Sequence, residues 1–124
     1  MDDPYHPFRF SKTEMEMLKI LFSAVNRLLE KHDCKRAVLV GHNAWFDLMF
    51  LKAAWKRCQL NSPFHSFTSF DTATLGGLLY GETVLVKVCK AAGIDFNLGE
   101  AHSALYDAQK TAELFCKIVN EHDA

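Results

Sequence analysis

One run in this chain has the pattern of a strand buried on both faces: Arg36 to Val40, with Ala37-Val38-Leu39-Val40 free of polar residues and closed by Gly41. From Ala44 to Arg57 apolar residues recur at helical spacing, with Phe46, Phe50, Leu51 and Ala54 expected on the core side. A buried strand that hands over directly to a helix restricts the fold to α/β arrangements, where helices cover a sheet.

The rest of the chain fits that frame. Ser11 with Glu14, and Thr13 with Glu16, both suit a capping box at the start of a first helix. That helix is expected to run to about Lys31 with Leu18, Leu21, Val25, Leu28 and Leu29 inward, and His32-Asp33-Cys34 is read as the turn. Phe64 to Phe70 alternates aromatic and polar residues, so a second strand is expected near Phe67 to Asp71. Thr74–Tyr80 and Val84–Ala92 read as short helices split by Gly81, with Gly93 as a C-terminal cap. The last helix is expected from Ser103 to about Asn120, with Leu105, Ala108, Ala112, Phe115, Cys116 and Val119 inward. Two strands do not make a stable sheet alone. Either some strands escape the periodicity, or the chain supplies part of a larger sheet.

The 124 residues form one domain, and 49% hydrophobic content is enough for a core. A net charge of −1 supplies no global basic field, so a polyanion would need a local patch or a metal. Lys52, Lys56 and Arg57, and Lys31, Lys35 and Arg36, form small basic groups of the kind found on solvated faces. Cys34, Cys58, Cys89 and Cys116 are scattered and read as free thiols. Zinc is disfavoured because no ligand pair has the usual spacing. No apolar run reaches transmembrane length, and the expected location is the cytoplasm.

The chemistry gathers at strand ends and helix starts. Asp47 lies one turn into its helix after Gly41-His42-Asn43, and His102 with Asp107 repeats the theme at the last helix. Each residue alone has an ordinary explanation: a first-turn aspartate complements the helix dipole, a histidine can cap, and Asp71 can start a turn. Together, two carboxylates and a histidine of near-neutral pKa suit a site for metal-assisted chemistry on phosphates.

At that point the residues resemble a family. Gly41-His42-Asn43-x-x-Phe46-Asp47 after a buried strand resembles the second motif of the DEDD 3′-to-5′ exonucleases, and His102-x4-Asp107 resembles the third motif of their histidine-containing branch. Pro63-Phe64-His65-x-Phe67, Phe70-Asp71-Thr72-Ala73 and Leu114-Phe115-Cys116 extend the likeness, which runs from about Asp3 to Asn120. The resemblance implies a ribonuclease H-like exonuclease fold and two Mg2+ ions held by four acidic residues. Asp47, Asp107 and His102 would be the metal site, with His102 as the catalytic base. Phe46 and Phe67 would stack on 3′-terminal bases, and His42, Asn43 and Asp71 would support the site. The implied activity is trimming of 3′ ends of tRNA and other structured RNAs, with single-stranded DNA as a further substrate, by a homodimer.

One family element is missing from this sequence. The first motif, Asp-x-Glu, supplies two of the four carboxylates, yet no aspartate here is followed two residues later by glutamate. The expectation is an incomplete fold lacking the N-terminal strands of the mixed sheet, weak or partial Mg2+ binding, and a chain inactive alone. The alternative is a non-catalytic truncated remnant that acts, if at all, in dimerisation or single-stranded nucleic-acid binding.

Overall fold

The computed structural model describes residues 13–100 and 103–123. Among the described residues, five helices accompany two strands: α1 Glu14–Lys31, β1 Ala37–Gly41, α2 Ala44–Arg57, β2 Phe64–Asp71, α3 Thr72–Tyr80, α4 Leu85–Ala91 and α5 Ala104–His122. The class is α/β, with β1 and β2 parallel and joined by α2. Of the two expected capping boxes, Ser11 lies outside the described residues. Thr13 caps α1, its hydroxyl accepting the Glu16 N–H at 3.1 Å. After Lys31 the chain turns through Asp33 at φ 52°, and the Cys34 N–H closes onto the Leu29 carbonyl at 2.8 Å.

Strand register explains one surprise. Ala37 pairs with Phe64, but Leu39 pairs with Ser69, so β2 carries extra residues between these points. Such a bulge bends the strand and re-aims its side chains. It leaves Phe67 89% exposed. The strand therefore begins at Phe64, earlier than the alternation near Phe67 suggests. Beyond the bulge the pairing brings Gly41 opposite Asp71, so the two strand ends meet.

Among the described residues, most of the buried apolar side chains collect in two clusters. One joins Leu18 and Phe22 of α1, Leu48 and Trp55 of α2, and Phe64 of β2, with Phe22 edge-on to both Trp55 and Phe64. The other joins Val88, Cys89, Ala92 and Ile94 around α4 with Leu114 and Ile118 of α5. These clusters correct three expectations. In α1, Phe22 is inward while Leu21 and Leu28 are exposed. In α2 Ala44, Leu48 and Trp55 are buried and the expected Leu51 and Ala54 pack half-buried against their cluster, whereas Phe46 and Phe50 face outward. In α5 the buried stripe is Thr111, Leu114 and Ile118, whereas Leu105, Ala108, Ala112, Cys116 and Val119 are exposed and Phe115 is half-buried. The physical reason is shared. Each helix carries apolar residues on more than one face, so spacing alone does not choose which face meets the core.

A fourth correction concerns β1. Ala37 to Val40 are half-buried, because β2 covers one edge and the described helices cover the faces only in part. All four cysteines are free. Among the described residues no helix is long and apolar enough to cross a membrane.

Candidate active site

The end of β1 is built by hydrogen bonds that converge on its last turn. Asn43 takes the left-handed conformation, φ 62° and ψ 52°, which asparagine tolerates better than most residues. Its side chain does not cap α2. The capping role passes to Asp71, from the far end of β2. Asp71 Oδ1 accepts the N–H groups of Asn43 and Ala73, and Oδ2 accepts that of Ala44, all at 2.9 Å. One carboxylate thus serves the N-termini of α2 and α3 together, where orphan N–H groups and the helix dipoles both favour a negative charge. With three N–H groups on its two oxygens, Asp71 is committed to the backbone.

His42 ties the same turn to its neighbours. Its Nε2 donates to the Thr83 carbonyl at 2.6 Å, which leaves Nδ1 to accept from the Thr72 hydroxyl at 2.8 Å. Thr72 is fully buried and also lies 3.4 Å from the Gly41 carbonyl. Sequence reasoning missed Thr72. Its place directly after a helix-capping aspartate was the available signal.

Asp47 and Asp107 come together. Both line a cavity of about 580 Å³ between β1 and α5, with Gly41, His42, Ala108 and Thr111 among its walls. Gly41 permits the approach of Asp47: a Cβ at Gly41 would lie 3.1 Å from Asp47 Oδ2 and from the Ala44 side chain. Asp107 sits in the first turn of α5, its N–H donating to the Ser103 carbonyl at 2.9 Å. Its Oδ1 is buried with no hydrogen-bond partner among the described residues. A buried carboxylate oxygen left unpaired costs about 1–3 kcal/mol, so it suits a cation or a donor brought by a ligand. Hard oxygen donors of this kind match Mg2+. Among the described residues no group of three His, Cys, Asp or Glu side chains is close enough to hold a metal. His102 lies outside the described residues.

Aromatic residues flank this region on α2. Phe46, next to Asp47, is half-exposed and packs edge-on against Phe50, with centroids 4.8 Å apart, and against Trp45 at 5.8 Å. Phe67 lines a separate groove with Trp45, Met49, Lys52 and Lys56. The Lys52 ammonium lies 4.2 Å from the Phe67 ring centroid, a cation–π contact. Lys52 is therefore more than a solvated charge: it places a cation beside an exposed aromatic face.

A family model for the 3′-5′ exoribonuclease Rv2179c-like domain matches residues 8–119. The chain belongs to this exoribonuclease domain family. Its relatives include a protein named Ribonuclease T from Vibrio vulnificus (strain YJ016), 56% identical over 123 residues that cover 98% of this chain and 57% of that protein. Ribonuclease T of Marinobacter nauticus is 57% identical over 119 residues, covering 95% of this chain and 54% of the relative. Ribonuclease T of Wigglesworthia glossinidia brevipalpis is 55% identical, with 95% and 55% covered. The chain thus spans little more than half the length of the curated relatives it matches.

Proposed function

We propose that this chain carries part of the active site of a 3′-to-5′ exoribonuclease that hydrolyses phosphodiester bonds at RNA 3′ ends. The observation that supports this most is the cavity shared by Asp47 and the unpaired Oδ1 of Asp107, in a chain of the exoribonuclease domain family. Asp47 and Asp107 would present carboxylate oxygens to Mg2+, and His102 would accept the proton of the attacking water on its imidazole. Two bound Mg2+ ions supply charge stabilisation and an activated water in such sites. Phe46 and Phe67, both exposed, would stack on terminal bases, an interaction of about 1–3 kcal/mol per base that tolerates different sequences. His42, Asn43 and Asp71 hold the turn that aims Asp47.

Within this reading the two-stranded sheet is part of a ribonuclease H-like sheet, which accords with the half-buried state of β1. Two aspartates leave most Mg2+ positions to water, so a chain without an Asp-x-Glu segment binds the ion weakly and is inactive alone. The reading implies tRNA and other structured RNAs as substrates, single-stranded DNA as a second class, a homodimer as the assembly and the cytoplasm as the compartment.

The test is trimming of a 3′-labelled single-stranded RNA in Mg2+ by the chain alone and mixed with the part of the Vibrio vulnificus relative outside the match. Trimming by the mixture that disappears with His102→Ala supports the proposal. Trimming unaffected by His102→Ala sinks the role of that histidine. No trimming by any mixture favours a non-catalytic binding or dimerisation role.

A further inference from the structure

The dipeptide Asp71-Thr72, where β2 passes into α3, holds the consecutive residues Gly41 to Ala44 between β1 and α2. Asp71 accepts the N–H groups of Asn43 and Ala44. Thr72 Oγ1 lies 2.8 Å from His42 Nδ1 and 3.4 Å from the Gly41 carbonyl oxygen. The register that sets Gly41 opposite Asp71 brings the two segments together. Asp71 meets backbone groups, whereas Thr72 meets a side chain. That side chain, His42, lines the cavity shared by Asp47 and Asp107.

The fully buried Thr72 hydroxyl has one proton and two acceptors within reach. The far side of the His42 ring decides where that proton goes. Nε2 lies 2.6 Å from the Thr83 carbonyl oxygen, which can only accept, so Nε2 carries the ring proton. Nδ1 of the neutral ring is then an acceptor, and it is the nearer of the two to Thr72. The ring is thus clamped at both nitrogens, by residues 30 and 41 positions away in sequence. The second clamp is itself fixed. The turn from α3 to α4 passes through Gly81 at φ 71°, and the Glu82 N–H donates to the Gly76 carbonyl at 3.3 Å. Leu85, which opens α4 just beyond Thr83, lines the same cavity.

We propose that Thr72 is a positioning residue for Asp47: its hydroxyl orients the His42 ring, and the clamped ring holds the end of β1, where Gly41 meets the Asp47 carboxylate, against the α3–α4 turn. This inference rests on the reading of Asp47 as a metal ligand. Thr72 acts through His42 and Gly41, and its hydroxyl makes no contact with the Asp47 or Asp107 carboxylates. Groups that orient a metal ligand from behind matter because Mg2+ demands near-ideal octahedral geometry. Replacing the hydroxyl by a methyl of similar shape, as in Thr72→Val, leaves Nδ1 without its donor and frees the ring to turn about the Thr83 contact. Thr72→Ser keeps the donor.

The experiment uses the chain alone, as wild type, Thr72→Val, Thr72→Ser and Asp47→Asn. Ring-nitrogen NMR in mildly alkaline, metal-free buffer reads the state of His42, and melting in rising Mn2+ reads the metal affinity. Wild-type His42 should carry its proton on Nε2; a proton on Nδ1 would overturn the inference without any variant. Thr72→Val should move the Nδ1 resonance toward that of an unbonded ring nitrogen and raise the Mn2+ dissociation constant about tenfold, while Thr72→Ser stays within about threefold of wild type. A threonine that serves only the fold would lower the metal-free melting temperature and leave the Mn2+ constant unchanged. That result in Thr72→Val would overturn the inference, as would an equal loss of affinity in Thr72→Ser. Mn2+ binding undiminished in Asp47→Asn would instead overturn the reading of Asp47 as a ligand, and the Nδ1 resonance then judges the His42 clamp by itself.

Discussion

The Asp71 carboxylate accepts the Ala44 N–H at 2.9 Å from the far end of the neighbouring strand, three residues before Asp47. The aim of one carboxylate is thus set by another that has no free oxygen of its own. Asp71→Asn keeps the shape but replaces one acceptor oxygen with an NH2 group facing backbone donors. The expected loss is about 1–3 kcal/mol, since charge-assisted capping bonds to two helices go together. Urea unfolding measures it. A loss under about 0.5 kcal/mol would show that water replaces these contacts easily.

Two adjacent glycines in α3 should respond in opposite directions. A Cβ on Gly76 would lie 2.6 Å from both the Glu82 carbonyl oxygen and Val88 Cγ2, and Val88 is fully buried. Gly76→Ala must push α4 and the α3–α4 turn away, at a cost of about 1–3 kcal/mol. On Gly77 the new Cβ meets only Thr83 Cγ2 at 3.4 Å, an ordinary contact. Gly77→Ala should be neutral or stabilise by up to about 1 kcal/mol through helix propensity. Thermal melts of the two variants, run side by side, check the contrast.

The same residues show how far the sequence could be read. Ala44–Arg57 is legible as a helix because its apolar residues recur at helical spacing. Its inward face is not legible. Trp45, Phe46, Met49 and Phe50 are as apolar as Leu48 and Trp55, and only the tertiary contacts separate them. The bulge in β2 is hidden because the aromatic alternation from Phe64 to Phe70 looks like an unbroken strand. In the candidate site, placement at a strand end and a helix start was enough to bring Asp47 and Asp107 to one cavity. The partners of Asp71 and His42 were out of reach, because Asn43, Ala44 and Thr83 lie 27 to 41 residues away in sequence.

The link between α1 and α2 carries the clearest pH dependence. Arg57 grips Glu14 with two hydrogen bonds, at 3.1 and 2.7 Å. That contact holds the Glu14 carboxyl below its ordinary value. A carboxyl whose folded pKa is lowered binds fewer protons than in the unfolded chain, so its contribution is present above the unfolded value and fades as pH falls through the folded one. Both groups are substantially exposed and the pair is screened by salt, so the effect is small. Glu14→Gln should lower the melting temperature slightly at pH 7 and not at all in strong acid, where Glu14 is protonated. A difference that persists below pH 3 would point to packing rather than charge.

Asp107 should show the opposite of a structural residue. Its Oδ1 is buried and unpaired among the described residues, so its charge burdens the metal-free fold. Its place in the first turn of α5 returns only about 0.3–1 kcal/mol through the helix dipole. Asp107→Ala should therefore leave the metal-free chain as stable as wild type, or stabilise it by up to about 2 kcal/mol. Millimolar Mn2+ should raise the melting temperature of the wild-type chain, because a ligand bound only by the folded state stabilises it. That rise should vanish in Asp107→Ala and shrink in Asp47→Asn. A variant that melts well below wild type without metal, yet keeps its Mn2+ shift, would make Asp107 part of the scaffold and leave the cavity without its second carboxylate ligand.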